Sequence, residues 1–255
     1  MKKNILFASD LDNTLLFSYK HKKDSDICVE YLDGKEQGFF TEKSVELLCS
    51  INRSMTFIPI TSRSIEQYKR IQFPEEGTPK YAVTTNGAIL LVDGEVDTDW
   101  YEASKNAVDP WRQELLDTYE LLASISEAKR YRIVDDMYLF TACDTPSEAE
   151  QVAELVHGKT NLDIAVSGRK VYFFPPPINK GQAIQRLIIK FSPEHTISAG
   201  DTLIDVPMLQ EADWAIIPDA SLAKELPLGQ KKIWDGIGYF PDYVLQWVDQ
   251  LACNF

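Results

Sequence analysis

The chain has 255 residues, 44% hydrophobic and 25% charged, an ordinary balance for a soluble globular protein that excludes extensive disorder or low complexity. A formal charge of −13 without a local basic stripe argues against nucleic acid and anionic membrane surfaces as partners. Cys28, Cys49, Cys143 and Cys253 are widely spaced, with no CxxC or Cys/His cluster, which argues against a zinc site or a disulfide scaffold.

The first apolar run, Ile5-Leu6-Phe7-Ala8, is too short for a signal peptide and stops at Asp10 and Asp12. No segment approaches the ~18 apolar residues of a membrane span, so a cytoplasmic protein is expected. Residues 4–9 read as a buried strand ending at Asp10-Leu11-Asp12-Asn13-Thr14. Ile27–Leu32 and Gln37–Phe40 flank Asp33-Gly34, a hairpin signal. Thr41 is a candidate cap for a helix carrying Val45, Leu47, Leu48 and Ile51. Met55–Ile60 is a second strand, followed by Thr61-Ser62-Arg63-Ser64, a short helix over 64–71 for which Thr61 is a candidate cap, and a third strand at Tyr81–Thr84. Alternating strands and helices predict a parallel α/β sheet.

The middle of the chain changes pattern. Hairpin signals at Asp93-Gly94, Asp135-Asp136 and Gly168-Arg169 alternate with helices expected over 105–126 and from Pro146 to about His157. This predicts an antiparallel sheet with helices on one face, an α+β module at 87–174. Pro175-Pro176-Pro177 marks its end, and the strand–helix alternation then resumes from 180. The architecture expected is a Rossmann-like parallel-sheet core, 1–86 and 175–255, split by an inserted α+β cap, with hinges near Asn86–Ala88 and Pro175–Pro177.

In an open parallel sheet, ligands bind beyond the carboxyl ends of the strands. Asp10, Asp12, Thr61, Asn86, Asp201 and Asp205 each follow a core strand, and Lys180 opens a helix, so the topology draws them to one edge. Converging carboxylates repel one another unless a hard divalent cation sits among them, and all-oxygen ligands suit Mg²⁺. The metal and Lys180 would neutralise a phosphate, with the Thr61 hydroxyl and the Ser62 amide on one of its oxygens. Asp10 is placed to attack phosphorus and form an aspartyl-phosphate. Asp12, two residues on, is placed to protonate the leaving oxygen and then activate water. Asn13 suits a turn needing positive φ.

These residues resemble the motifs of the haloacid dehalogenase (HAD) superfamily. Asp10-Leu11-Asp12-Asn13-Thr14 is similar to its first motif, DxDx[TV], Thr61 to the second, Lys180 to the third, and Gly200-Asp201 with Asp205 to the fourth, GDxxxD. The four occur in the family's order, with 118 residues between Thr61 and Lys180. An insertion at that place resembles the type-two cap of the branch that holds sugar-phosphate phosphatases, sucrose-phosphate phosphatases and phosphomannomutases. Thr85-Asn86-Gly87-Ala88 also resembles that branch. Two departures stand out: Asn13 where Gly is usual, and Ile204 where the branch has Asn.

The resemblance implies that Asp10 is nucleophile and metal ligand, and that Asp12 is acid/base and lends its backbone carbonyl to the metal. Asp201 becomes a direct ligand, Asp205 a ligand through water or a support behind one, and Thr61 and Lys180 phosphoryl-binding residues. Ser62 and Asn86 are substrate-binding candidates from their place at the site edge, although Asn86-Gly87 reads equally as a hairpin turn. The expected activity is Mg²⁺-dependent hydrolysis of a small phosphorylated metabolite, a sugar phosphate or polyol phosphate, with no protein partner implied. The rival readings are a phosphomutase and a non-catalytic phosphometabolite sensor. Arg169 and Lys170 are cap candidates for meeting substrate.

Overall fold

A computed structural model describes residues 3–227 and 230–254. The chain forms two compact units, divided after Val96 and after Asn179. These divisions fall at other positions than 86 and 174. The strands Ile89–Val92 and Glu95–Val96 continue the antiparallel ladder begun by Tyr81–Thr84, so this ribbon groups with the first unit.

The first unit is built on a five-stranded parallel sheet in the order Gln230–Ile233, Trp214–Ile217, His195–Ala199, Ile5–Ser9, Thr56–Pro59. From the Ile5–Ser9 strand the chain first moves to one side, to Thr56–Pro59, and later returns on the other side at His195–Ala199. That reversal makes the end of Ile5–Ser9 the topological switch point of the sheet, where a crevice opens in such folds. All five residues of this strand are buried, as a strand covered on both faces requires. Tyr81–Thr84, expected as a third strand of the sheet, joins its edge through one parallel bridge between Ile60 and Val83. The chain then reverses because Thr85 and Asn86 take φ of 55° and 56°, conformations that Asn tolerates well.

A second, smaller sheet crosses the first unit in the order Phe17–Ser18, Lys35–Phe40, Ile27–Leu32. Its hairpin closes on Asp33 and Gly34, both at positive φ, the geometry that two-residue turns demand. Pairing is irregular around Glu30. Helix Glu42–Ser54 begins at Thr41, whose hydroxyl accepts the Ser44 amide at 2.8 Å. The next helix, Ile65–Lys69, is capped by Ser64 in a reciprocal box with Gln67. Ser64 takes this part, and Thr61, the candidate from the sequence, is left with other partners.

The second unit has a four-stranded antiparallel sheet, ordered Asp163–Ser167, Lys170–Phe174, Tyr138–Ala142, Arg132–Val134. Helices Arg112–Ala123 and Pro146–Val156 pack on it. The helical stretch expected over 105–126 is two helices, Thr98–Val108 and Arg112–Ala123, joined by a 3₁₀ turn at Asp109–Trp111. Asp97 starts the first early by accepting the Trp100 amide, and Pro110, which lacks an amide hydrogen, separates the two. Cys28, Cys49 and Cys143 are free thiols, and the Cys253 side chain lies outside the described residues. Among the described residues, no helix is long and apolar enough to cross a membrane.

Asp242, in the first turn of helix Phe240–Asn254, locks that helix to Glu42–Ser54. One of its oxygens accepts the hydroxyls of Thr41 at 2.5 Å and Ser44 at 2.7 Å. Asp242→Ala strands both hydroxyls and is expected to cost about 1–3 kcal/mol, read as a lower urea midpoint at unchanged slope. An unchanged midpoint would show that this lock does not hold the two helices.

Candidate active site

The site residues of the first unit assemble around the buried end of Lys180. This lysine opens helix Lys180–Phe191 and is only 1% exposed. A cation at a helix N-terminus opposes the helix dipole, and a buried ammonium without partners is costly. Two carboxylates answer both costs: Nζ donates to Asp10 Oδ1 at 2.5 Å and to Asp205 Oδ1 at 2.6 Å. Burial alone would lower the Lys180 ammonium, but the charges of Asp10 and Asp205 outweigh it and raise it above the usual lysine range.

Asp10 follows the switch-point strand, and its amide donates to Ala199 O at 2.9 Å, so the end of the neighbouring strand fixes where its side chain begins. Burial pushes its carboxyl well above the usual carboxylate range; Lys180 opposes this, while Asp205, Asp201 and Asp12 add to it. Asp205 sits in a 3₁₀ turn, Leu203–Asp205, and both its oxygens are engaged. Oδ1 receives Lys180, and Oδ2 receives the amides of Asp201 at 3.1 Å and Thr202 at 2.9 Å and the Thr202 hydroxyl at 3.0 Å. It is therefore a support that shapes the Asp201 loop. Asp201 itself is half-buried and accepts the Thr14 hydroxyl at 3.3 Å. Burial, then the Asp205 charge, raise its carboxyl to about 7 against the opposing charge of Lys180.

Asp10, Asp201 and Asp205 each present an oxygen within 4.8 Å of the others'. Around them the site counts five carboxylates, Asp10, Asp12, Asp201, Asp205 and Glu30, against three basic groups, Lys180, Arg63 and Arg70. An incoming phosphate meets excess negative charge, and a hard divalent cation held by oxygen donors is the group this donor set fits. Asp10 and Asp201 are the residues that would hold it.

Thr61 is fully buried one strand over, where the Ile60 amide bonds to Ser9 O at 2.8 Å. Its hydroxyl oxygen accepts the Arg63 amide at 3.1 Å, which leaves its hydrogen to donate elsewhere. The turn carrying Asn86 is laced to the same loop: Thr85 N donates to Arg63 O at 2.7 Å and Asn86 N to Thr61 O at 2.9 Å. Ser62 is half-buried between them. Asp12 is 49% exposed at its side chain and turns to Arg63, with both oxygens bound at 2.8 Å. Asn13 has φ of 62°, as its place in the turn requires, and Ile204 is half-buried in the 3₁₀ turn.

Several residues of the site carry no sequence signal of their own. Thr202 is an ordinary loop threonine until its hydroxyl is seen on Asp205, whereas Thr14, which closes the first motif, donates its hydroxyl to Asp201. Arg63 and Glu30 lie 33 positions apart, and only the fold joins them. Burial raises no hope for Arg63 by itself, since it lowers a guanidinium, yet its bonds to Asp12 and Glu30 raise it overall.

Gly200 is where the site leaves no room. A Cβ there would lie 2.4 Å from Asp205 Cβ and 2.7 Å from its Cγ, distances that real contacts do not reach. Gly200→Ala must displace Asp205 from Lys180 and from the Asp201 amide, with an expected cost of about 1–3 kcal/mol or more. A thermal denaturation midpoint equal to that of the parent chain would refute this tight packing.

A family model for haloacid dehalogenase-like hydrolases matches residues 97–217, a span that includes Lys180, Asp201 and Asp205. No curated protein matches the sequence. Among solved structures, the chain is similar to the sucrose-phosphatase of Synechocystis sp. PCC6803, solved with sucrose and phosphate. Identity is 19%, with 97% of this chain and 98% of that one covered and a TM-score of 0.67. It is also similar to the C-terminal domain of trehalose-6-phosphate phosphatase from C. albicans, at 13% identity over 99% and 93% of the two chains and a TM-score of 0.60. A third, the trehalose-6-phosphate phosphatase of Aspergillus fumigatus, is 12% identical over 100% and 94%, with a TM-score of 0.57. The family match covers just under half of the chain, and the solved structures share its fold across nearly the whole length; the chain is thus similar to haloacid dehalogenase-like hydrolases.

Proposed function

We propose that this chain is a haloacid dehalogenase-like, magnesium-dependent phosphatase that releases phosphate from a small phosphorylated metabolite, a sugar phosphate, by way of a phosphoryl group carried on Asp10. The observation that carries the reading is the buried Lys180 ammonium bridging Asp10 and Asp205 at the switch point of the sheet. A structural lysine has no need of that place; a group that must neutralise phosphoryl oxygens does. The likeness to a sucrose-phosphatase solved with sucrose and phosphate supports a phosphorylated sugar as substrate class.

In this reading an Asp10 oxygen bonds to phosphorus as the ester P–O bond breaks, and the Asp12 carboxyl gives its proton to the departing oxygen. Water then attacks the phosphoryl group, its proton passes to Asp12, and the Asp10–phosphorus bond breaks to free inorganic phosphate. Thr61 donates its hydroxyl hydrogen to a phosphoryl oxygen, beside the Ser62 amide and Asn86, and Lys180 holds charge next to Asp10. Asp10, Asp201 and the Asp12 carbonyl, with Asp205 behind them, are the groups that would hold Mg²⁺, which when bound would neutralise charge on the transferring group.

Asp10→Asn is expected to lower phosphate release by more than about a thousandfold, and chelation of Mg²⁺ to abolish it until the ion is restored. Retained turnover in either experiment would overturn the mechanism. Phosphorus NMR of the product separates a phosphatase, which yields inorganic phosphate, from a mutase, which yields an isomeric ester.

The raised Asp201 carboxyl sets a pH dependence. Between the usual value of 3.8 and about 7, the folded chain keeps a proton there that the unfolded chain has released. This contribution to stability is full below the lower value and is lost as pH rises through the upper one. Cation binding must expel the same proton, so Mg²⁺ is expected to raise the melting temperature more at about pH 8 than at about pH 6. Equal shifts at both would mean that Asp201 does not bind the ion.

A further inference from the structure

Arg63 commits all five of its N–H groups, four to two carboxylates from different parts of the chain and one to a backbone carbonyl. Nε donates to Asp12 Oδ2 and Nη2 to Asp12 Oδ1, each at 2.8 Å. Nη1 and Nη2 donate to the two oxygens of Glu30 at 2.8 and 2.9 Å, and Nη1 also reaches Gln67 O at 3.2 Å. A guanidinium has five donors in a rigid planar fork; with all five committed, the fork cannot rotate without breaking several bonds at once.

Glu30 is the fixed end of this arrangement. Its side chain is 5% exposed and also accepts Arg70 Nε at 3.2 Å. Three features of the backbone aim it there. The ladder between Ile27–Leu32 and Lys35–Phe40 shifts register on both sides of Glu30, an irregularity that redirects a side chain. Its partner across the ladder is Gly38, where an added Cβ would lie 3.1 Å from Glu30 Oε2. Glu30 also bridges to Ile71, beside the Gln72 amide that donates to Val29 O at 2.7 Å. A buried acid with two guanidiniums is an expensive way to gain stability. Asp12, by contrast, is half in solvent and would sample several rotamers if nothing held it.

We infer that Glu30 is a positioning residue for Asp12: acting through the Arg63 fork, it holds the Asp12 carboxyl in one orientation for proton exchange with the substrate's ester oxygen. The inference rests on the reading that Asp12 is the acid/base, and it adds a residue that never touches substrate. Proton transfer needs its partners within hydrogen-bond reach, so a loosened fork should slow the step in which a proton must be delivered and leave other steps alone.

The leaving group provides the test. An alkyl phosphate such as glycerol phosphate needs its departing oxygen protonated, whereas p-nitrophenolate leaves without help. For both substrates kcat/KM reports transfer to Asp10, since the leaving group departs before water attacks. Glu30→Gln is expected to lower kcat/KM for the alkyl ester about ten- to a hundredfold, and for p-nitrophenyl phosphate by less than about threefold. Arg63→Lys, which keeps the charge but loses the fork, is expected to show the same split. Adding Glu30→Gln to Asp12→Asn should cost little beyond Asp12→Asn alone. Equal losses on both substrates would reduce Glu30 to a structural residue, and full activity on both would remove it from the site; either overturns the inference. Turnover by Asp10→Asn would instead sink the underlying phosphatase reading, so the two failures are distinguishable.

Discussion

The first unit is organised around a positive charge that has been taken out of water. The Lys180 ammonium, buried at a helix start, survives only because two carboxylates meet it, and each must be delivered by a different element. Asp10 arrives from the end of the Ile5–Ser9 strand, and Asp205 from the 3₁₀ turn after the His195–Ala199 strand. Those strands are parallel neighbours in register from Ile5 to Ser9, which sets the two acids side by side. Gly200 lets Asp205 lie against the backbone, and Gly181 lets helix Lys180–Phe191 approach Pro207 to 2.8 Å from where a Cβ would stand. Removing either carboxylate would leave the buried ammonium with a single acid and an N–H without its partner.

The cations near the site are all matched, and more than matched, by acids. Lys180 faces Asp10 and Asp205; Arg63 faces Asp12 and Glu30. The strongly acidic chain thus offers an anionic ligand no surplus positive charge from these side chains. On the proposed reading, recognition of a phosphate would depend on an ion borrowed from solution, and the strength of binding would then depend on how many protons the carboxylates still hold.

Much of this was legible in the residues. Apolar runs that stop at acids, as Ile5–Ser9 does before Asp10, mark buried strands that open on a site, and the order Asp10, Thr61, Lys180, Asp201, Asp205 places them on one edge through topology alone. Local cap chemistry was readable at Thr41, where a side chain reaches an amide three residues on. It was misread at Thr61, because Ser64 sits closer to the helix and has Gln67 to complete its box. The single helix expected over 105–126 failed for a similar reason: periodicity carries across Pro110, although the backbone cannot continue unchanged there. What periodicity could not reveal were contacts between distant segments. Glu30 in a strand of mixed character and Arg63 in a loop each look solvated, and their pairing depends on how a hairpin lies beside the sheet.

That hairpin's alignment is bound to the charges beside it. Along a ribbon, slipping the pairing by one residue turns every side chain to the opposite face. In the strand Ile27–Leu32 such a slip would present Tyr31 where Glu30 now lies, leave the Arg63 guanidinium half-satisfied and expel Val29 from the interior. The Glu30 irregularity and Gly38 fit only one alignment. A wrong register in this ribbon would therefore cost Arg63 and Arg70 the acid they share.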